Sequence, residues 1–149
     1  MHSWLTRIQN DVFDLGADLA VPLDKEERPR LRIEAGQGRR LDAGCEQANR
    51  VLGPLRTFVL PGGSEASARL HLARTVCRRA ERHTVALAQR GPVNPHAIAY
   101  LNRLADLLFI LAPAVDVDTG ARPCLWRPGA TTLARAAEQI FPGAEPTPA

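Results

Sequence analysis

Lysine is almost missing from this chain: of 19 basic residues, every one but Lys25 is arginine. Lys25 stands between Asp24 and Glu26, so there is no glycine-rich phosphate loop ending in G-K-[ST]. Aromatic residues make up only 5%, which disfavours a sandwich or barrel, while abundant Ala and Leu favour helices. The three cysteines, Cys45, Cys77 and Cys124, form no C-x-x-C pair, and their odd number argues against a disulfide framework. The histidines are isolated from one another, and Asp116-Val117-Asp118-Thr119-Gly120 misses the third ligand and the distal Glu of a calcium loop. No protein metal site is therefore expected. Gly36-Gln37-Gly38 lacks the third glycine and the preceding strand of a dinucleotide fingerprint. A net charge of +3 is low for a general nucleic-acid binder. Long hydrophobic runs are also lacking: Leu104 to Val115 contains Asp106 and Pro113 and is too short to cross a bilayer. The amphipathic N-terminus carries Asp11 and reads as neither a signal nor a transit peptide. The expectation is a reduced, cytoplasmic, helical protein, with neither membrane nor nucleic acid as a partner. Its 149 residues, 45% hydrophobic and 23% charged, suit one globular domain.

Apolar periodicity supplies the elements. Trp4, Ile8, Val12, Leu15 and Leu19 recur at spacings of three and four, which predicts a helix over about 3–19 with those residues on its buried face. Pro22, Pro29, Gly36 and Gly38 mark 20–40 as an exposed loop. A second helix is expected over about 41–55, weakened by Gly44. Phe58-Val59-Leu60 is a short apolar run ending in the turn Pro61-Gly62-Gly63, and Ser64 is a plausible N-cap for a long helix to about Arg90. The next helix starts near Pro95 and is expected to break at Pro113. Residues 116–130 read as a loop around Trp126, followed by a short amphipathic helix over 131–141 and a disordered Pro-rich tail at 142–149. Four main helices with short connections predict an all-α, antiparallel bundle in a single domain over 1–141.

The 64–90 helix carries the chemistry. His71, Arg74, Arg78, Glu81 and Arg82 fall within an arc of roughly 100°, beside a core-facing arc of Leu70, Ala73, Cys77, Ala80 and Thr84. Three guanidinium groups at i, i+4 and i+8 repel one another unless an anion or carboxylates lie opposite, and the planar guanidinium fork suits phosphate. The same stripe can be a solvated face with Glu81 as local partner, and both readings stay open at this point. On the next helix Asn102, Asp106 and Phe109 share a stripe among leucines that predict enclosure. An enclosed Asp106 needs a cation, for which the arginines of the preceding helix are candidates, in a structural role as well as in a site. The glycines before Ser64 would let a ligand approach the helix N-terminus, although such a turn is usually only a turn.

These motifs together resemble the PduO-type ATP:cob(I)alamin adenosyltransferases. The resemblance rests on Ile8-Gln9-Asn10-Asp11-Val12-Phe13-Asp14-Leu15-Gly16-Ala17 and on Phe58-Val59-Leu60-Pro61-Gly62-Gly63. It rests most on Arg78-Arg79-Ala80-Glu81-Arg82 and on Tyr100-Leu101-Asn102-Arg103-Leu104-Ala105-Asp106-Leu107-Leu108-Phe109, with Trp126 in the family's order. It implies a ferritin-like, five-helix fold assembled as a homotrimer with active sites between subunits. There Co(I) of a corrinoid attacks C5′ of ATP and releases triphosphate. By the same resemblance Arg78, Arg82 and Asn102 would hold the nucleotide, with Glu81 orienting them, and Arg74 would make a salt bridge across the subunit interface. Phe58 would lie under the corrin, with Phe109 and Asp106 at the corrinoid. Mg²⁺ would accompany ATP, and a flavin-type reductase is an expected partner. The family's T-x-x-G-D-x-G-x-T loop and first helix find no match, so the chain reads as opening at the family's second helix, truncated at its N-terminus. The alternative is a non-catalytic corrinoid- or nucleotide-binding bundle; a nucleic-acid module using the arginine stripe is a third reading.

Overall fold

The computed structural model describes residues 2–23, 29–53 and 57–130. It contains four helices: α1 (His2–Leu19), α2 (Ala35–Leu52), α3 (Glu65–Ala88) and α4 (Pro95–Asp118). The expected helix at 131–141 and the tail at 142–149 lie outside the described residues.

Side-chain partners fix the helix directions. Along α3 and α4, Glu81 meets Asn102 and Arg74 meets Phe109, so rising numbers on one helix pair with falling numbers on the other. The helix α1 runs against α4 in the same way, with Asp11 bonded to Tyr100 and Asp18 to Asn94. By contrast α2 runs alongside α4, where Asp42 meets Arg103 and Gly44 lies near Leu107. The chain therefore goes up, down, up, down, as an antiparallel bundle should.

The bundle is built around α4. Tyr100, Leu101, Leu104, Ala105, Leu107, Leu108 and Ala112 are buried, and each large apolar side chain contributes about 1.5–3 kcal/mol when fully buried. Pro113 does not break this helix, contrary to the sequence expectation, for it is itself buried inside a helix continuing to Asp118. A mid-helix proline costs about 3 kcal/mol, and burial of the apolar Ala112 and Val115 on either side works against that cost. The uninterrupted helix also corrects the expected length of the apolar segment. With 24 residues and a mean hydropathy of 1.5, α4 is long and apolar enough to cross a bilayer by length and composition. Here its apolar sides are covered by α2 and α3.

The exposed loop expected at 20–40 is shorter than anticipated, because α2 begins at Ala35. The side chain of Gln37 accepts the Glu34 backbone N–H at 2.7 Å, which closes the first turn. Gly44 has a packing role: a Cβ there would lie 3.1 Å from the Trp4 ring, so glycine lets the indole rest on α2. On α1 the buried face differs from the periodic one. Val12 is exposed, whereas Asp11 and Asp18 are buried.

Candidate functional site

The helix α3 starts where the Ser64 hydroxyl accepts the Ser67 N–H, as its N-cap position predicts. Its buried positions are Ser67, Leu70, His71, Cys77, Glu81 and Thr84. Ala73 and Ala80, expected in the core, are exposed. The core arc is thus rotated toward His71 and Glu81, and this rotation sorts the polar stripe. Glu81, only 8% exposed, accepts from Arg78 Nη1 at 2.6 Å through Oε2 and from Asn102 Nδ2 at 2.9 Å through Oε1. One buried carboxylate therefore aims a guanidinium from α3 and an amide from α4. Arg74 takes a different support: its guanidinium carbon lies 4.9 Å from the centre of the Phe109 ring, a cation–π distance. Arg82 is exposed and has no ion-pair partner among the described residues.

His71 and Asp106 depart from expectation in opposite senses. His71 is buried, edge-on to Phe109 with ring centres 6.3 Å apart, and its Nε2 has no hydrogen-bond partner among the described residues. Burial and then the neighbouring Arg74 hold its pKa below the ordinary histidine value, despite an opposing pull from Asp116. Asp106 is not enclosed and does not reach the α3 arginines. It is exposed and pairs at 3.3 Å with Arg103 one turn earlier, while Arg103 also binds Asp42 of α2. The leucines cover the rest of α4, and Asp106 occupies its open side.

Phe58 sits on an extended strap at the bundle end holding the start of α3. An antiparallel bridge joins Val59 to Leu125, with Leu60 N–H donating to Cys124 O at 2.7 Å and Trp126 N–H to Phe58 O at 2.8 Å. The rings of Phe58 and Trp126 meet edge to face, 5.9 Å apart. Phe58 remains 73% exposed, a flat apolar surface without a cover. Asp116, buried and unassigned by sequence reasoning, accepts the Ser64 N–H at 2.8 Å. It joins the end of α4 to the strap. Burial raises its pKa, but hydrogen bonds from Ser64 and Ser67 and the charge of His71 outweigh this and hold it below the ordinary value.

Cavities of 200 to 500 Å³ open elsewhere in the described chain and are lined by other residues. Arg78 and Arg82 are exposed and Arg74 is half-buried, so the arginine stripe is an open face of the chain as described. Among the described residues no group of three or more His, Cys, Asp or Glu side chains is placed to hold a metal. All three cysteines are unpaired. Cys77 donates to Leu101 O at 3.2 Å, and burial, then the Glu81 charge, pushes its thiol up to about 11, which makes it inert at neutral pH.

Comparison with known proteins adds four findings. A family model described as cobalamin adenosyltransferase matches residues 1–115. The corrinoid adenosyltransferase of Mycobacterium tuberculosis is 48% identical over 128 residues, which covers 84% of this chain and 65% of the relative. The corrinoid adenosyltransferase PduO of Salmonella typhimurium is 40% identical over 114 residues, 76% of this chain and 34% of that protein. The chain thus spans about 65% of the length of the mycobacterial relative. Among solved structures, a variant of a PduO-type ATP:corrinoid adenosyltransferase from Lactobacillus reuteri, complexed with cobalamin and ATP, is similar with a TM-score of 0.78 at 32% identity. That match covers 84% of this chain and 69% of the other.

Proposed function

The chain belongs to the cobalamin adenosyltransferase family, and from that premise we propose that it transfers the 5′-deoxyadenosyl group of ATP to the Co(I) of a corrinoid. The cobalt electron pair forms the Co–C5′ bond, the C5′–O bond breaks, and triphosphate leaves with its electrons. The observation that carries this reading is the Arg78–Glu81–Asn102 cluster, in which a buried carboxylate holds one cation and one amide in fixed directions. Charge grows on the triphosphate as the bond breaks, and donors already oriented stabilise it without reorganisation. Arg82, without an ion pair among the described residues, adds a second charge along the same helix face.

Phe58 supplies the other half. An exposed ring, braced by Trp126, suits the lower face of a flat corrin. There it would displace the lower axial ligand, which lowers the cobalt orbital that accepts the reducing electron. The described residues offer no protein ligand set for Mg²⁺, so the ion is read as arriving on the triphosphate, and no step is routed through it. Because the arginine face is open, the site is completed by a neighbouring subunit. We read the assembly as a homotrimer with Arg74 at the interface, and Phe109 as the ring that holds Arg74 at the edge of the corrinoid site. Asp106, exposed on the same stripe of α4, is placed there too. Unpaired cysteines and Co(I) chemistry both suit a reducing cytoplasm, with a flavin-type reductase as the electron source.

The test is formation of adenosylcobalamin from ATP and chemically reduced cobalamin, followed by its absorbance. Arg78→Ala should lower turnover while melting stays cooperative, and Phe58→Ala should slow product formation more when Co(II) must be reduced in the assay than when Co(I) is supplied. Absence of product from the wild-type chain refutes the reading.

A further inference from the structure

Asp116 has no role in the chemistry above, yet it is a carboxylate only 1% exposed with no cation paired to it among the described residues. Its charge is met by the start of α3, through the side chain and backbone of Ser64, with Ser67 and His71 beside it. Oδ1 accepts the Ser64 N–H at 2.8 Å, at the first turn of α3, where helix N–H groups favour a negative charge. Its other oxygen packs against Gly63. A Cβ on Gly63 would overlap the Asp116 carboxylate, and the φ of +96° there is one that side-chain-bearing residues rarely adopt. Two observations thus restrict Gly63 to glycine, and one of them is the carboxylate itself.

This contact is one of the strap's anchors. Between Phe58 and Ser64 the backbone is tied at three places: to the 124–126 segment through Leu60 and Phe58, to α3 through Ser67 Oγ donating to Gly62 O at 2.8 Å, and to α4 through Asp116. Of these anchors, Asp116 alone connects the strap to the most buried helix of the bundle. We infer that Asp116 and Gly63 are a positioning pair that sets where the Phe58–Trp126 platform stands over the end of the bundle, and hence how a corrin would seat on it. The corrin part of this inference rests on the proposed function; the positioning part does not.

The test separates the two. In a Trp4→Phe background Trp126 is the only tryptophan. Adding Asp116→Asn keeps the shape but turns half of the acceptor into a donor facing the strap. The expected result is a red shift of Trp126 emission and stronger acrylamide quenching, with helical circular dichroism retained. Gly63→Ala should give the same shift by pushing the carboxylate from the other side. In turnover assays KM for the corrinoid should rise on the order of tenfold, as displacement of a substrate-positioning group would give, with KM for ATP unchanged. Unchanged emission and quenching in both variants overturn the inference, as does an equal rise in both KM values. So does loss of cooperative melting in both, because a positioning pair is dispensable to the four-helix core. If the wild-type chain yields no adenosylcobalamin, the proposed function fails, while the emission measurement still decides whether the pair positions the platform.

Discussion

Replacing Glu81 by Gln separates positioning from stability. The carboxylate now serves two donors, Arg78 Nη1 at 2.6 Å and Asn102 Nδ2 at 2.9 Å. A glutamine has one acceptor oxygen and one donating NH2, so one of the two partners must face a donor instead. A charge-assisted hydrogen bond contributes about 1.5–3 kcal/mol, but the Arg78 side chain is 45% exposed and can rehydrate. The net loss is discounted to about 1 kcal/mol, or about 3 °C in Tm for a chain of this size. Function should suffer far more, because Arg78 would no longer be held in one direction, and misplacement of this kind costs on the order of a hundredfold. The loss should fall on kcat. Removing a negative charge leaves the arginine face more positive, which attracts ATP and offsets looser grip in KM. Thermal melting and steady-state kinetics with ATP as the varied substrate give the answer. A Tm drop above about 10 °C, with activity following the folded fraction, would make Glu81 a structural residue. A higher KM for ATP at unchanged kcat would place Arg78 in ground-state binding only.

Asp18 is 1% exposed and bonded to Arg32, the Ile33 N–H and Asn94; Asp18→Ala strands these groups and should cost about 3–5 kcal/mol, read as a Tm fall on the order of 10 °C. Gly16 lies in α1 with open space where a methyl group would sit, so Gly16→Ala should raise Tm by about 2–4 °C through helix propensity alone. Acid should destabilise the fold in two stages. The His71 pKa is held below 6.5 in the folded chain, so the unfolded chain takes up its proton first and stability falls as pH drops from 6.5 towards the folded value. Asp116 is held below 3.8, and its contribution, full above that value, is lost as pH falls through the folded one. Urea titrations at a series of pH values, compared with His71→Leu, should show the first stage disappear in the variant.

What could be read from sequence follows from which forces are local. Helix α3 was legible end to end because its N-cap Ser64, its arginine spacing and its stop at Gly91-Pro92 all lie within one segment. The Arg78–Glu81 pair was legible for the same reason, being one turn apart. The resemblance then added Asn102, whose contact with Glu81 spans 21 residues of sequence. Asp106 was misplaced because periodicity cannot tell which stripe of an apolar helix is left open once α2 and α3 have docked. Three of the four buried acids were missed for the converse reason. Asp11 meets Arg40 and Tyr100, Asp18 meets Ile33 and Asn94, and Asp116 meets Ser64. Each partner is remote in sequence, so nothing in the neighbourhood of the acid marks it. One signal was available: Asp11 and Asp18 lie seven residues apart on either side of buried Leu15, the spacing of one helix face. An acid repeating in phase with the core side is a candidate for a buried pair, and the same test applied to α4 selects Asp116, three residues after buried Pro113 and four after buried Ala112. Polar residues that keep the period of the core, rather than those that break it, are the ones that tie the ends of this bundle together.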